Sequence, residues 1–350
     1  MRRLFIGIVA AALMGFTVPA GADHQFAHRK PSGPAPKQFA ADFAPPLDSE
    51  WKWEIGGFGG TARGTPLNYN PVILVHGQAY DHAFWSAGAE VPPSIMNVRN
   101  YLKSQGYSDQ EVWAFSYNGA GCMNTSGCGT NNETNVPDFF AFMQAVMEYT
   151  GSAKVDVVAH SLGVTIVRKS IQTHPELLGQ IEDLVLAAGA NHGTSSCRGN
   201  ETFWFGCDEI VPGSQWLADL NSWDPAGEGD ETPGPIRYMT IYDPVADNFF
   251  VNAGIYDDTK SPRLTGANNN ELPGALHLPL ARGQAALRLW VPFIKSNNNV
   301  VQSSTATSEE GRASIGSLAV GGPPFLPTLG LVLVAIAIAI LVPNRRVIRQ

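Results

Sequence analysis

Lys154-Val155-Asp156-Val157-Val158-Ala159-His160-Ser161-Leu162-Gly163 is the stretch from which the fold is read, together with the helical run to Thr173 behind it. An apolar, β-branched strand runs directly into small-x-Ser-x-Gly and then into a helix. That is the pattern of an elbow presenting a serine hydroxyl on a tight strand-to-helix turn. Small residues are needed on both sides because the turn brings helix and strand backbones together, and Ala159 and Gly163 fill those places. Leu162, at the helix N-terminus, offers its backbone N–H to an oxyanion. An ordinary buried strand followed by a helix produces the same short motif by chance. The rest of the chain has to supply the partners.

Working outward, Pro71-Val72-Ile73-Leu74-Val75 is a fully apolar run ending in His76-Gly77-Gln78, a central buried strand with its C-terminal loop. Ser94 is expected to cap a helix with Ile95, Val98, Tyr101 and Leu102 on one face, ended by Gly106. Glu111 to Tyr117 reads as a strand. Asp138 to Thr150 reads as an amphipathic helix with Phe139, Phe142, Met143 and Val146 inward and Gly151 as its stop. Beyond the elbow, Ile181–Ala188 and Ile236–Tyr242 read as strands and Ala281–Ile294 as a final helix. Strands alternating with helices define an α/β protein, a doubly wound, mostly parallel sheet with helices on both faces. The segment 191–235 is too long for a simple connection. It carries Phe203, Trp204 and Phe205 and a short helix from Ser214 through Leu220, aromatics that either line a pocket or build a local mini-core.

The formal net charge of −8, with no basic stripe, excludes nucleic acid as a partner. Met1-Arg2-Arg3, the apolar run Leu4–Val18 and Ala20-Gly21-Ala22 read as a signal peptide over 1–22 with an A-x-A cleavage site. Residues 23–67 read as a leader, Pro- and Ala-rich without periodicity to about residue 50 and then Gly-dense, either irregular or an edge hairpin. The catalytic domain spans 68–296, with 191–235 as its insertion, and a Ser/Thr/Asn/Gly-rich linker follows over 297–324. An uncharged apolar run over 325–342 has membrane-spanning length, and the tail 343–350 carries Arg345, Arg346 and Arg349. Charge behind the span orients the tail to the cytoplasm and the domain outward. The same layout also fits a C-terminal sorting signal that is later removed. Export gives the four cysteines a meaning, and close spacing favours Cys122 with Cys128 and Cys197 with Cys207. Neither pair has C-x-x-C spacing, so no metal site is expected.

A serine hydroxyl needs a general base, and the base needs an orienting carboxylate; chain order in this fold is Ser, acid, His. His24 and His28 lie in the leader, His76 at the end of the first central strand, His160 inside the elbow, and His174 at a helix end. His192 precedes any plausible acid. Only His277, in the loop Pro273–Pro279 before the last helix, lies downstream of the candidate acids, and it is the candidate base for Ser161. The loop after Tyr242 offers Asp247, backed by Asn248-Phe249-Phe250-Val251, as the preferred acid. Asp243, which also suits a turn with Pro244, is the alternative. The backbone N–H of Gln78 is the second oxyanion donor beside that of Leu162, each such donor contributing about 3 kcal/mol to the transition state.

The motifs Asn-Pro-Val-Ile-Leu-Val-His-Gly, Val-Val-Ala-His-Ser-Leu-Gly, Gly-Ser-Gln-Trp-Leu-Ala-Asp-Leu-Asn and Ile-Tyr-Asp-Pro-Val-Ala-Asp together resemble the bacterial class 2 lipases over about residues 68–296. Their superfamily includes polyhydroxyalkanoate depolymerases with an A-H-S-x-G elbow. The resemblance implies an α/β-hydrolase fold and carboxylic-ester hydrolysis, without metal or organic cofactor, by Ser161. In that family the acid usually stands four residues after the strand-ending Tyr, as Y-S-x-x-D. Here Asp247 stands five after Tyr242 and Asp243 one after it. The expectation is an exported, membrane-tethered serine ester hydrolase acting on a lipid, small ester or polyester. An acyltransferase on the same triad and a non-catalytic surface binding protein are the rivals.

Overall fold

The computed structural model describes residues 34–87, 95–117, 131–199, 206–222, 231–252 and 254–297. The expected signal peptide, the Cys122–Cys128 pair, the aromatics 203–205, most of the linker and the apolar run 325–342 lie outside these residues. Among the described residues no helix is long and apolar enough to cross a membrane.

The central strands form where apolar runs are longest. In chain order they are β1 (Lys37–Phe39), β2 (Gly56–Gly59), β3 (Val72–Val75), β4 (Val112–Ser116) and β5 (Val155–His160), followed by β6 (Ile181–Ala187) and β7 (Arg237–Tyr242). A small hairpin of β8 (Val251–Asn252) and β9 (Tyr256–Asp257) precedes β10 (Asn268–Glu271). Among the described residues, eight strands pair in the order β1-β2-β4-β3-β5-β6-β7-β10, every pair parallel except β2 with β4. Every residue of β3, β4 and β5 is buried. Successive side chains point to opposite faces, so burial of all of them requires cover on both sides of the sheet.

The helices are α1 (Ala83–Ser86), α2 (Val98–Ser104), α3 (Asn132–Thr150), α4 (Leu162–Thr173), α5 (Leu177–Gln180), α6 (Cys207–Ile210), α7 (Gln215–Ser222), α8 (Pro279–Arg282) and α9 (Gln284–Lys295). Four sequence expectations are corrected here. The leader ends earlier than residue 67, because β1 adds to β2 and Ala35 and Phe43 enter the core. Phe43 packs between Trp113 and Tyr149, with ring centroids 4.9 and 5.3 Å away. Helix α2 begins at Val98 with Asn97 as its cap, its side chain accepting the Asn100 N–H. Helix α3 begins six residues before Asp138, since Asn131 caps it and the Glu209 carboxylate receives the N–H groups of Asn132 and Glu133. The final helix is two pieces, broken at Gly283.

Among the described residues several acids are buried away from Ser161, and Asp156 is one of them. Asp156, on β5, is fully buried; burial first, and the neighbouring Asp183 charge next, push its carboxyl well above the usual range. Asp183 is itself paired with Arg237 at 2.6 Å. A raised native pKa means that stability is lost as pH climbs above the unfolded carboxylate value. The slope is about 1.4 kcal/mol for each pH unit until the native carboxyl ionises too. Asp156→Asn removes this titration. Its melting temperature is expected to gain on the wild type steadily as pH rises above the ordinary carboxylate value of about 4. A difference that stays flat over that rise would mean that Asp156 ionises normally.

Candidate active site

The site is built at the junction of β5 and α4. Ser161 stands between them at φ 55° and ψ −125°, a left-handed conformation for a residue with a side chain. Such a conformation costs on the order of 1–3 kcal/mol and persists only where the surroundings over-determine it. Here Ser161 N–H donates to the Ala187 carbonyl at 2.9 Å and Val164 N–H returns to the Ser161 carbonyl at 3.0 Å. Two glycines allow the turn to seat against β3. A Cβ on Gly163 would lie 2.4 Å from the His76 carbonyl oxygen, and one on Gly77 would lie 2.8 Å from the Ser161 Cβ. Gly163 is thus required by close approach to the neighbouring strand, and Gly77 is required by the same approach from the other side.

The side chains expected to act together are brought together. Ser161 Oγ lies 3.0 Å from His277 Nε2, and His277 Nδ1 lies 2.9 and 3.0 Å from the two Asp247 oxygens. With Nδ1–H donating to the carboxylate, Nε2 is left as the acceptor for the serine hydroxyl. Asp247 is fully buried and also accepts the Phe249 N–H at 3.0 Å. The Phe249 ring packs 4.3 Å from the imidazole.

Asp243 does not reach His277. One of its oxygens accepts the N–H groups of Val245 and Ala246, at 2.8 and 3.0 Å, and the other accepts Leu276 N–H at 2.9 Å. It folds the turn that carries Asp247 forward, an Asp bonding its own downstream backbone. Burial alone would raise the Asp243 carboxyl, but the amides of Leu276, Val245, Ala246 and Gly274 prevail and hold it below its usual value.

The other described histidines have different partners. His76 is buried, stacks on Tyr117 at 3.9 Å and directs Nδ1 to the Gly77 carbonyl; burial lowers it to about 4. Tyr117 in turn donates to the His76 carbonyl at 2.7 Å. This fixes the strand end from which Gln78 follows, half-buried, with Ala79 at φ 58° beyond it. His82, for which the sequence suggested no role, bonds Ser116. His174 stacks on Phe140, and His192 pairs with Glu231 at 2.6 Å. Among the described residues no group of His, Cys, Asp and Glu is arranged to hold a metal ion.

Cys197 and Cys207 are joined by a disulfide with Cα atoms 5.0 Å apart. The 3-10 turn Ser195–Cys197 next to it grips the acid-bearing loop: Ser195 N–H donates to Asp258 at 2.6 Å and the Thr194 hydroxyl donates to the Phe249 carbonyl. Sequence reasoning missed these contacts, together with that of Glu209 on α3 and that of His160 Nε2 on the His277 carbonyl. Each joins residues 55 or more apart in the chain, and no local pattern marks them.

Strand order, a single antiparallel pair near one edge and a serine on a left-handed turn after β5 together define the α/β-hydrolase fold. Within it, residues 69–233 match the lipase (class 2) family, as the sequence motifs implied. Asp247 and His277 lie beyond the matched segment. The structure is similar to the mature form of Bacillus licheniformis lipase BlEst2, at 15% identity and a TM-score of 0.47, covering 67% of this chain and 99% of that one. It is also similar to Aspergillus fumigatus lipase B, at 16% identity and a TM-score of 0.48, covering 81% of this chain and 66% of that one. Family match and fold support a hydrolase of the lipase/esterase kind.

The seat of the turn can be tested without substrate. Gly163→Ala is expected to cost about 1–3 kcal/mol in urea unfolding, because the added methyl meets backbone that cannot yield. Gly179→Ala, in a helix with nothing within 4 Å of the new methyl, should be neutral or slightly stabilising. Equal effects at the two positions would remove the close-approach argument.

Proposed function

We propose that this protein is a serine carboxylic-ester hydrolase working through an acyl-enzyme, with Ser161 as nucleophile, His277 as general base and Asp247 as the orienting acid. The observation carrying this reading is the continuous hydrogen-bonded line from Asp247 through His277 to Ser161, with each link 3.0 Å or shorter. In the first half-reaction Ser161 Oγ bonds to the ester carbonyl carbon while its proton passes to His277 Nε2. Asp247 stabilises the imidazolium, and the backbone N–H groups of Gln78 and Leu162 receive the oxyanion. The alcohol departs with the proton from His277. In the second half-reaction water, deprotonated by His277, attacks the acyl carbon, the bond to Ser161 Oγ breaks, and His277 returns the proton to Oγ as the carboxylic acid leaves.

The neighbourhood of the base favours a poorly soluble substrate. Val245 and Leu276, whose amides share the Asp243 carboxylate, are 63% and 54% exposed, and Ile255 on the adjoining hairpin turn is 75% exposed. Apolar side chains left in water on the loops that carry Asp247 and His277, beside a partly exposed Ser161, suit an ester with a greasy acyl or polymer chain. On the features of its two ends, the enzyme is read as exported and held at a membrane, or sorted there, through residues 325–342.

Ser161→Ala should abolish hydrolysis of p-nitrophenyl esters and labelling by a fluorophosphonate, with an unchanged cooperative melt. Asp247→Asn should lower kcat by about 10⁴-fold. Wild-type rates over esters of increasing chain length, beside an emulsion and a polyester film, give the substrate class. A wild-type protein that neither takes the label nor cleaves any of these esters would leave a binding protein on a hydrolase fold.

A further inference from the structure

The line from Asp247 to Ser161 fixes the imidazole of His277 but not the backbone that carries it. That backbone is strained at the adjoining residue: Leu276 is held at φ 65°, the left-handed region that a leucine avoids. Two buried side chains meet the chain on either side of this point. Asp243 accepts the Leu276 N–H at 2.9 Å, and His160 directs Nε2 to the His277 carbonyl oxygen at 3.2 Å. Since that atom faces a carbonyl, His160 carries its proton on Nε2 and donates.

Both groups are suited to a fixed role. Asp243 is 2% exposed, and its oxygens are engaged by backbone amides on two separate segments, 245–246 and 276. His160 is fully buried one residue before Ser161, with Phe84 stacked on its ring at 4.9 Å and the His277 ring 4.8 Å away. Burial is the chief cause that holds the His160 imidazole well below its usual value, with the Arg282 guanidinium acting in the same direction, so His160 stays neutral. A neutral donor places no positive charge beside the imidazolium that forms on His277 during turnover. Arg282, over the Phe84 ring at 4.7 Å, also ties down the carbonyls of Ala87 and Met96, so the stack is anchored from behind.

We infer that His160 and Asp243 are positioning residues for His277, gripping its backbone on both flanks so that Leu276 keeps its left-handed turn and the imidazole stays aimed between Asp247 and Ser161. The inference rests on the triad reading above. Misplacement of a reacting group by about 1 Å costs about 10²-fold in rate. His277 must keep its aim through two proton transfers in each half-reaction. Asp243 thus contributes to the site without being its acid, and His160 ties the nucleophile's strand to the base's loop.

The test uses the full-length protein, with reactive sites counted by exhaustive fluorophosphonate labelling and kcat expressed per labelled site. His160→Phe keeps the ring and its stack and removes the donor, whereas His160→Gln restores an N–H donor. Asp243→Ala removes the acceptor, and Asp243→Asn keeps a carbonyl oxygen. Expected for His160→Phe and Asp243→Ala is a loss of about 10- to 100-fold in kcat on a short soluble ester, with KM within about threefold of wild type. His160→Gln should recover most of it, and Asp243→Asn, which keeps one of the two acceptor oxygens, part of it. If His160→Phe retains kcat within about threefold, or His160→Gln is as slow as His160→Phe, the positioning role is wrong. A loss confined to melting temperature or to the labelled fraction, with normal kcat per site, also overturns it. Failure of the wild type to take the label would instead overturn the triad reading itself.

Discussion

The approach of the elbow to β3 is the constraint on which the rest of this structure depends. With Gly163 against the His76 carbonyl and Gly77 against Ser161, the turn is pressed between two strand ends with no room for a side chain. That contact over-determines the left-handed Ser161 and sets the start of α4. It also brings the loop after β3, with the Gln78 amide, alongside the serine. Ser161, the helix N-terminus and the second loop are therefore placed by a single packing event between small residues. The stacked, neutral His76–Tyr117 pair stiffens the same corner. A charged group there would need solvent that the packing excludes.

The other half of the site is assembled by carboxylates with separate duties. Asp247 faces the imidazole, while Asp243, four residues earlier, spends its lone pairs on backbone amides. Their environments divide the labour: one carboxylate has an imidazole N–H to receive, and the other has three amides from two segments. The disulfide-linked turn at Ser195–Cys197 supports the acid loop from outside through Asp258 and the Phe249 carbonyl. The insertion between β6 and β7 is thus part of the scaffold of the acid rather than an ornament on the sheet.

Much of this was legible in the chain because burial on two faces leaves a strong mark. Val72–Val75, Val112–Ser116 and Val155–His160 are apolar runs interrupted only by Ser116, Asp156 and His160, and their assignment as central strands needed no tertiary information. The elbow was readable because its strand, its small residues and its serine fall in one short stretch of chain. His277 was found by chain order. Elements stabilised mainly by distant partners were not legible. Lys37-Gln38-Phe39 has exposed, polar residues and becomes a strand only because β2 lies beside it. The first turn of α3 looks like loop sequence until Glu209, 77 residues away, is seen to satisfy its amides. Asp243 and Asp247 could be ranked but not separated, since the distinction lies in which atoms of Leu276 and His277 come to meet them.

The outermost strands among the described residues have a bearing on how the molecule behaves in company. One edge of the sheet is the three-residue Lys37–Phe39, and the other is Asn268–Glu271, three asparagines and a glutamate. Open strand edges recruit strands from other chains, and short, charged or strongly polar edges discourage that recruitment. Among the described residues the large apolar side chains that stand in water are Leu47, in a lone bridge with Glu54, and Val245, Ile255 and Leu276, on loops and turns. Three of these four are thus on segments that have no strand edge to offer a neighbouring copy.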